Sequence, residues 1–401
     1  MEDYSFMLPR FNGKAGKIIQ RSAKIGREEI TFSYFLPNEL PSMQELCSDI
    51  SLMEKSNEAN RAVGELQGLT KNIGNLDLFV EPYIRKEAVD SSEIEGTVVS
   101  LTDVFLSEAG SKKPSFVNPN IKEVINFVNA INYALSELKK GNKLSKKLLN
   151  NMHNVLLSGV RGQDHLVGEY RQQQNWVRSN SSRNILDAVY VPPSEEKVEE
   201  LMNYLFSYMN ENEGYMRLIK AGLLHYYFET IHPYEDGNGR VGRTLILLYL
   251  IQKGILEEPI IYLSPYFKKH KDTYYSLLME VRETGNYSNW LHFYLDGIIE
   301  ISVNLSKKVK RLIELYNDYK ERLRKAGATP ISLEILDKFF ERPYSFISLI
   351  QEQLGKADYP KTKRGMNYLI ECRIIKLYTK HKRNKIYVAP EVLKILEEDL
   401  I

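Results

Sequence analysis

Two cysteines in 401 residues, Cys47 and Cys372, leave little to cross-link with. They stand far apart in sequence and lack metal-ligand spacing, which excludes a disulfide framework and a cysteine zinc site and fits a reducing compartment. An excess of charge is also missing. The 54 Lys and Arg stand against 52 Asp and Glu, so a net charge of +2 selects no partner. No run approaches the roughly 20 consecutive apolar residues that span a bilayer. The start, Met1-Glu2-Asp3-Tyr4, has neither the basic opening nor the apolar stretch of a secretory signal. These absences predict a cytoplasmic protein with no membrane partner. What is present is ordinary globular material, 43% hydrophobic and 26% charged, long enough for two or three domains.

Apolar residues recur at helical spacing over 42–72, 77–95, 119–139, 144–158, 194–213, 215–231 and 240–253. Within 119–139, Ile121, Val124, Ile125, Val128, Ala130, Ile131 and Leu135 make one stripe with steps of three and four. Two stretches interrupt the pattern. EAGSKKPSFVNPN (108–120) has loop composition, and VRSNSSRNILDAVYVPP (177–193) reads as an extended or hairpin-like segment. A very polar helix over about 305–325 leads to Gly327 and Pro330 and reads as a linker. Helical patterns at 331–341, 345–354 and about 360–371 then precede IIKLYTKHKRNKIYV, which alternates like two strands around a basic turn. That is the order of a winged helix-turn-helix. The predicted fold is mainly α, divided into an N-terminal helical region (1–113), a core (114–304), a helical linker (305–329) and a winged-helix domain (330–401).

The chemistry concentrates in HPYEDGNGRVGR, residues 232–243, between two apolar-striped helices. His232 offers a base near neutral pH. Asp236 offers a hard oxygen for Mg²⁺. Gly237, Asn238 and Gly239 let the backbone turn tightly and aim its N–H groups at an anion, reinforced by the dipole of the next helix. Arg240 and Arg243, three apart, share a helix face and can grip phosphate oxygens with planar forks. A base, a metal ligand, an anion nest and two clamps in twelve residues suit phosphoryl or nucleotidyl transfer. Competing readings fit less well. Gly237, Gly239 and Gly242 satisfy the dinucleotide G-x-G-x-x-G, yet a helix precedes them instead of a strand. A P-loop would need Lys-Ser/Thr after its second glycine. His225 and His232 lack the further ligands a metal pair needs, so His225 reads as a packed structural histidine.

HPYEDGNGRVGR resembles the signature of Fic-domain proteins, His-Pro-Phe-x-Asp/Glu-Gly-Asn-Gly-Arg-x-x-Arg, with Tyr234 in place of the Phe. GEYRQQQNWV (168–177), YVPPS (190–194) and IYLSPYFKKHKDTYYSLLMEVR (261–282) resemble the stretches that flank it, and the N-terminal region and tail match the longer bacterial members. The resemblance implies a Fic-type helical core with a small β-hairpin flap at 177–193 that aligns the target's backbone as an added strand. It implies ATP and Mg²⁺ as cosubstrate and cofactor. His232 would deprotonate a Ser, Thr or Tyr hydroxyl of a target protein, which then attacks the α-phosphate of ATP. Asp236 would hold the metal, and Asn238 with the glycine amides of Gly237 and Gly239 would cradle the phosphates. Arg240 and Arg243 would bind the β- and γ-phosphates. Tyr234 would anchor the loop in the core, Glu235 would complete the nucleotide-binding loop, and Glu229 and Tyr274 would contact the nucleoside. Relatives that phosphorylate carry Ala and Lys where this chain has Gly237 and Gly239, so the glycines favour adenylyl transfer. Enzymes that use UMP or GMP, or remove AMP, are the neighbouring alternatives.

Upstream, Ser91 and Glu95 lie four apart on one helical face, with Gly96 where a C-terminal cap would sit. Alone this is a helix end. Beside the signature it resembles the family's Ser/Thr-x-x-x-Glu-Gly inhibitory motif, which implies a desolvated ion pair of Glu95 with Arg243 that removes the γ-phosphate clamp, with Ser91 bonding nearby. Self-modification and a homodimer are compatible with such an enzyme. In the tail, ten Lys and Arg between Gly355 and Lys385 face two acids, a local excess of eight positive charges. DNA is one partner this fits; a solvated face used for dimerisation or docking is the other. The rival function from another class is a nucleotide-sensing winged-helix transcription regulator whose core only binds ATP.

Overall fold

A computed structural model describes the chain except residues 1–10, 26–27, 72–76, 111–117, 164–165, 179–183, 212–215, 380–384 and 399–401. Parts of the predicted loop at 108–120, of the flap and of the basic turn therefore lie outside the described residues. The elements are β1 (Gly16–Ile25), β2 (Glu28–Pro37), α1 (Met43–Leu46), α2 (Ile50–Thr70), α3 (Asp77–Ile94), α4 (Leu101–Gly110), α5 (Pro119–Lys139), α6 (Lys146–Leu157), α7 (Glu195–Asn210), α8 (Arg217–Ile231), α9 (Asn238–Gln252), α10 (Ser264–Lys269), α11 (Lys271–Thr284) and α12 (Ser288–Lys325). They continue with α13 (Pro330–Glu341), β3 (Tyr344–Ser345), α14 (Ile347–Gln353), α15 (Tyr359–Glu371), β4 (Lys376–Leu377), β5 (Tyr387–Val388) and α16 (Pro390–Glu397). The mainly α expectation holds, and the helix periodicities reappear within a few residues of where they were read, except that the polar helix read over 305–325 is the second half of α12, which begins at Ser288. Contact density groups the chain into two compact units, each made of non-contiguous stretches.

The first unit comprises residues 1–60, 129–255 and 267–298. It opens with an element the helical reading of the N-terminal region did not contain. β1 and β2 pair antiparallel from Gly16↔Pro37 to Ile25↔Glu28. Ile30, Phe32, Tyr34 and Leu36 alternate along β2 and put one apolar face on Trp176, Ile185, Ala188 and Val191. The opposite face packs Phe35 with Ala15 and Tyr190. The described part of the flap segment packs beside the hairpin, tied by Phe35 N–H to Val191 C=O at 3.0 Å. Its own pairing is one antiparallel bridge, Val177↔Tyr190, rather than a hairpin of named strands. At the centre, α8 and α9 are buried on nearly every side, as helices apolar all round must be.

The second unit comprises residues 61–128, 256–266 and 299–401. α3 ends in a Schellman cap: Gly96, at φ 89°, donates its N–H to Glu93 C=O (3.0 Å), and Thr97 N–H reaches Ser92 C=O (2.9 Å). That is the role expected of Gly96. Arg85 of α3 is buried and pairs with Glu81 (2.7 Å) and with Glu108 of α4 (2.8 Å). α4 itself runs to Gly110 and takes the first residues of the predicted 108–120 loop. α13 packs along α3, where Phe340 meets Phe79 edge-on at 6.3 Å and Arg342 lies 3.8 Å from Glu108. After α13 the order is strand, two helices, then two strands, with a three-stranded sheet β3-β5-β4.

Candidate active site

The site is built where α8 hands the chain to α9. α8 stops at His232, whose φ of 52° and ψ of 61° are left-handed, a conformation that costs a non-glycine residue about 1–3 kcal/mol. Its neighbours hold it there. His232 N–H donates to Phe228 C=O at 2.9 Å. Arg171, buried, spends its guanidinium on main-chain oxygens: Nε on His232 C=O (3.0 Å), Nη2 on Ile231 C=O (3.4 Å) and on Pro193 C=O, and Nη1 on Gln173 C=O (3.3 Å). Its own amide donates to Pro233 C=O at 2.9 Å. Burial pushes the Arg171 pKa down to about 10, so the group stays charged at neutral pH. Tyr190 adds a bond from the flap, its hydroxyl donating to Thr230 C=O at 2.7 Å. Arg282 lies over the Tyr190 ring at 3.8 Å.

The loop between the helices is fastened from below. Tyr234 is fully buried, stacks on His153 at 4.0 Å, and donates its hydroxyl to Asn150 Oδ1 (2.9 Å), so the aromatic ring anchors the loop as its position suggested. Asn238 accepts Tyr234 N–H at 2.8 Å and donates to Tyr234 C=O at 2.7 Å. Its side chain thereby shapes the loop, which leaves the backbone amide as its means of meeting an anion. His153 accepts Gly168 N–H on Nδ1 (2.9 Å), which puts the ring proton on Nε2, where it is donated to Asp236 C=O (2.9 Å). Burial lowers the His153 pKa to about 4 and keeps the ring neutral.

Asp236 directs Oδ1 at Gly237 N–H (2.6 Å) and lies 3.8 Å from Arg240 Nη2, with its side chain 35% exposed. Gly237, at φ 79°, starts α9, and the amides of Asn238 and Gly239 in the first turn have by position no intrahelical carbonyl to bond. Arg240 and Arg243 are both buried at this helix start. Gly242 lets α8 and α9 close up: a Cβ there would fall 2.3 Å from Glu229 Oε1. The buried Glu229 carboxylate therefore sits against the α9 backbone, one turn before His232.

Tyr274 lies behind the site, 1% exposed, stacked on Phe267 at 4.6 Å. Its hydroxyl is 2.9 Å from His225 Nε2, while His225 Nδ1 is 2.9 Å from Gly242 C=O. A carbonyl only accepts, so Nδ1 carries the proton and Tyr274 O–H donates to Nε2. His225 is the packed structural histidine expected, with burial lowering its pKa to about 3. Ser91, Glu95 and Gly96 belong to the second unit; Ser91 is fully buried and Glu95, at the cap of α3, is exposed. Among the described residues no group of three or more His, Cys, Asp or Glu could hold a metal by itself. One half-exposed carboxylate suits Mg²⁺ arriving with phosphate, an ion that keeps several waters and takes one or two carboxylates. Sequence reasoning gave Arg171 and His153 no individual role, because most of their carbonyl partners lie far along the chain, up to 83 residues away.

A histidine at the end of α8, the start of α9 and two buried arginines are gathered within residues 232–243. Residues 53–136 match the model of the Fic/DOC family N-terminal region, and residues 143–250 match that of the Fic/DOC family. Over these two stretches the chain is similar to Fic/DOC proteins. It is 30% identical over 131 residues to a protein adenylyltransferase Fic of Aedes aegypti, a match covering 32% of this chain and 23% of that one. It is 26% identical over 209 residues to a probable protein adenylyltransferase of Aquifex aeolicus, covering 52% and 58%. The matches thus span only 23% and 58% of these relatives' lengths. A Fic family protein from Desulfovibrio desulfuricans G20 shares the fold with a TM-score of 0.52 at 19% identity, over 85% of this chain and 96% of that one.

Proposed function

We propose that this protein is a Mg-ATP-dependent adenylyltransferase that moves AMP onto Ser, Thr or Tyr hydroxyls of target proteins. The observation that supports the reading is the pair of left-handed residues, His232 and Gly237, bracketing the loop between the end of α8 and the start of α9. His232 takes the proton of the target hydroxyl, the oxygen attacks the α-phosphorus, and pyrophosphate leaves. The amides of Asn238 and Gly239 and the guanidinium groups of Arg240 and Arg243 carry the phosphate charge. Asp236 holds Mg²⁺, which neutralises charge on the phosphate oxygens when bound. Glu229, against Gly242, faces the same helix junction. Tyr274 supports the junction through His225 and presents no open face for a nucleoside. The relatives' names, protein adenylyltransferase, support the reaction class. We infer further that Glu95 restrains transfer by competing with the γ-phosphate for Arg243.

The test is transfer from ATP labelled at the α-phosphate, run beside γ-labelled ATP, α-labelled UTP and α-labelled GTP, with a cell lysate as acceptor. Label from α-ATP should reach protein, label from γ-ATP should not, and His232→Ala should lower the rate about 10²–10⁴-fold while retaining ATP binding. Wild-type labelling rates in His232→Ala would remove it as the base.

A further inference from the structure

The C-terminal module presents a surface that the transfer site does not use. Gly365, Thr362, Met366 and Leu369 form the inner face of α15, and a Cβ on Gly365 would fall 2.6 Å from Ile335 Cδ1, so α15 is seated tightly on α13. The turn from α14 into α15 is pinned by Gln351, which donates to Ala357 C=O and accepts its N–H through the main chain, both near 3 Å (2.9 and 3.1 Å). The outer face of α15 therefore has one orientation. It exposes Lys361, Lys363, Arg364 and Asn367, with Lys356 in the preceding turn and Lys376 on β4 beside it.

Several surface cations on helices of this protein are neutralised by an acid three or four residues away: Lys197 by Glu200, Arg322 by Asp318, Lys325 by Glu321. On α15 the cations cluster without such acids. Among the described residues, Lys356, Lys361, Lys363, Arg364 and Lys376 have no ion-pair partner, and the nearby acid Asp358 is spent capping Lys361 N–H. Three like charges within one helical turn repel, an arrangement that costs stability until a polyanion lies against it. A helix about 10–12 Å across matches the roughly 12 Å major groove of B-DNA. Arg364 and Asn367, three apart, are both exposed on this face, and they are the residue types that pair with guanine and adenine edges. α15 turns Thr362, Gly365, Met366 and Leu369 inward, and the exposed Tyr359 and Ile370 stand at the two ends of the helix rather than among the cations.

We propose that the outer face of α15, with Lys356 and Lys376 at its margins, is a docking surface for duplex DNA. Phosphates meet Lys356, Lys361, Lys363 and Lys376, and Arg364 and Asn367 face the groove floor. The proposal stands apart from the transfer reading. Fluorescence anisotropy of the full-length protein with a labelled 30-base-pair duplex of mixed sequence tests it between 50 and 200 mM KCl. Binding should fall steeply with salt, with a log–log slope near −0.9 per phosphate contact. The double variant Lys363→Glu/Arg364→Glu should bind at least tenfold more weakly and with a shallower slope, at an unchanged melting temperature. Lys361→Gln, which leaves folding untouched at an exposed site, should reduce the slope by about one. Wild type and double variant binding alike would place any DNA contact elsewhere and overturn the proposal. So would absent DNA binding, with or without salt-dependent capture of polyglutamate or of phosphatidylserine vesicles.

Discussion

His225 shows how much chemistry a single buried side chain can be assigned once its partners are known. Gly242 C=O takes the Nδ1 proton and Tyr274 O–H donates to Nε2, so both ring nitrogens are satisfied in the neutral form alone. Burial lowers its pKa from 6.5 to about 3. The unfolded chain takes up a proton near pH 6.5 that the folded ring refuses, so this stability is complete above pH 6.5 and is lost as pH falls toward 3. His153, at about 4, adds the same slope over the upper part of that range. Each neutral histidine contributes ~1.4 kcal/mol of destabilisation per pH unit. Urea unfolding of His225→Gln between pH 7 and 4 should show a slope shallower by one proton, and an undiminished slope would place that proton elsewhere. The structural role of His225 was legible because it falls inside an apolar helix without companion ligands. Tyr234 was read as an anchor only through its place in the family signature, since it stands in the loop outside both helices. Arg171 and His153 were not, since a residue bonded to distant carbonyls leaves no periodicity and no spacing behind.

Among the elements, the long helices were readable because one buried stripe repeats every three to four residues, as along α5 and α13. The β1–β2 hairpin was not read, although β2 carries the period-two signal in Ile30, Phe32, Tyr34 and Leu36. Its partner strand GKIIQRSAKI is mostly polar, and only the flap supplies the surface that makes the alternation meaningful. The hairpin braces that flap. Arg21 reaches Glu195, just beyond it, with two bonds of 2.7 Å, and Phe32 packs with Ile185 and Val191. Phe32→Ala should therefore act on the flap before it acts on the nucleotide site. The core truncation should cost ~3–5 kcal/mol. ATP affinity should stay within twofold of wild type, while α-label transfer to protein targets should fall at least fivefold through a raised KM. Calorimetric titration with ATP and a target dose–response separate the two, and equal losses in both would mean the hairpin supports the unit as a whole.

At the scale of the whole molecule, the chain winds into two units assembled from stretches far apart in sequence, and no linear pattern specifies that grouping. α3, with the Ser91–Gly96 segment at its end, is clamped within the second unit by Arg85 to Glu81 and Glu108 and by Phe79 to Phe340. Glu95 thus stands at the capped end of a braced helix. If Glu95 and the γ-phosphate want the same Arg243 guanidinium, only one can have it. Glu95→Gly should raise α-label transfer from ATP by tenfold or more and strengthen ATP binding. The exposure of Glu95 revises the expected stability cost. A desolvated pair would cost ~3–5 kcal/mol on losing one partner, whereas an exposed carboxylate costs ~0–1 kcal/mol. The apo melting temperature should therefore drop by only a few degrees. Mg-ATP should restore more than it does in the wild type, because stabilisation by a ligand grows with its affinity. Glu95→Gly/Arg243→Ala should show no activation, since the clamp being released is gone. Equal labelling by wild type and Glu95→Gly would leave the segment as a capped helix end and nothing more.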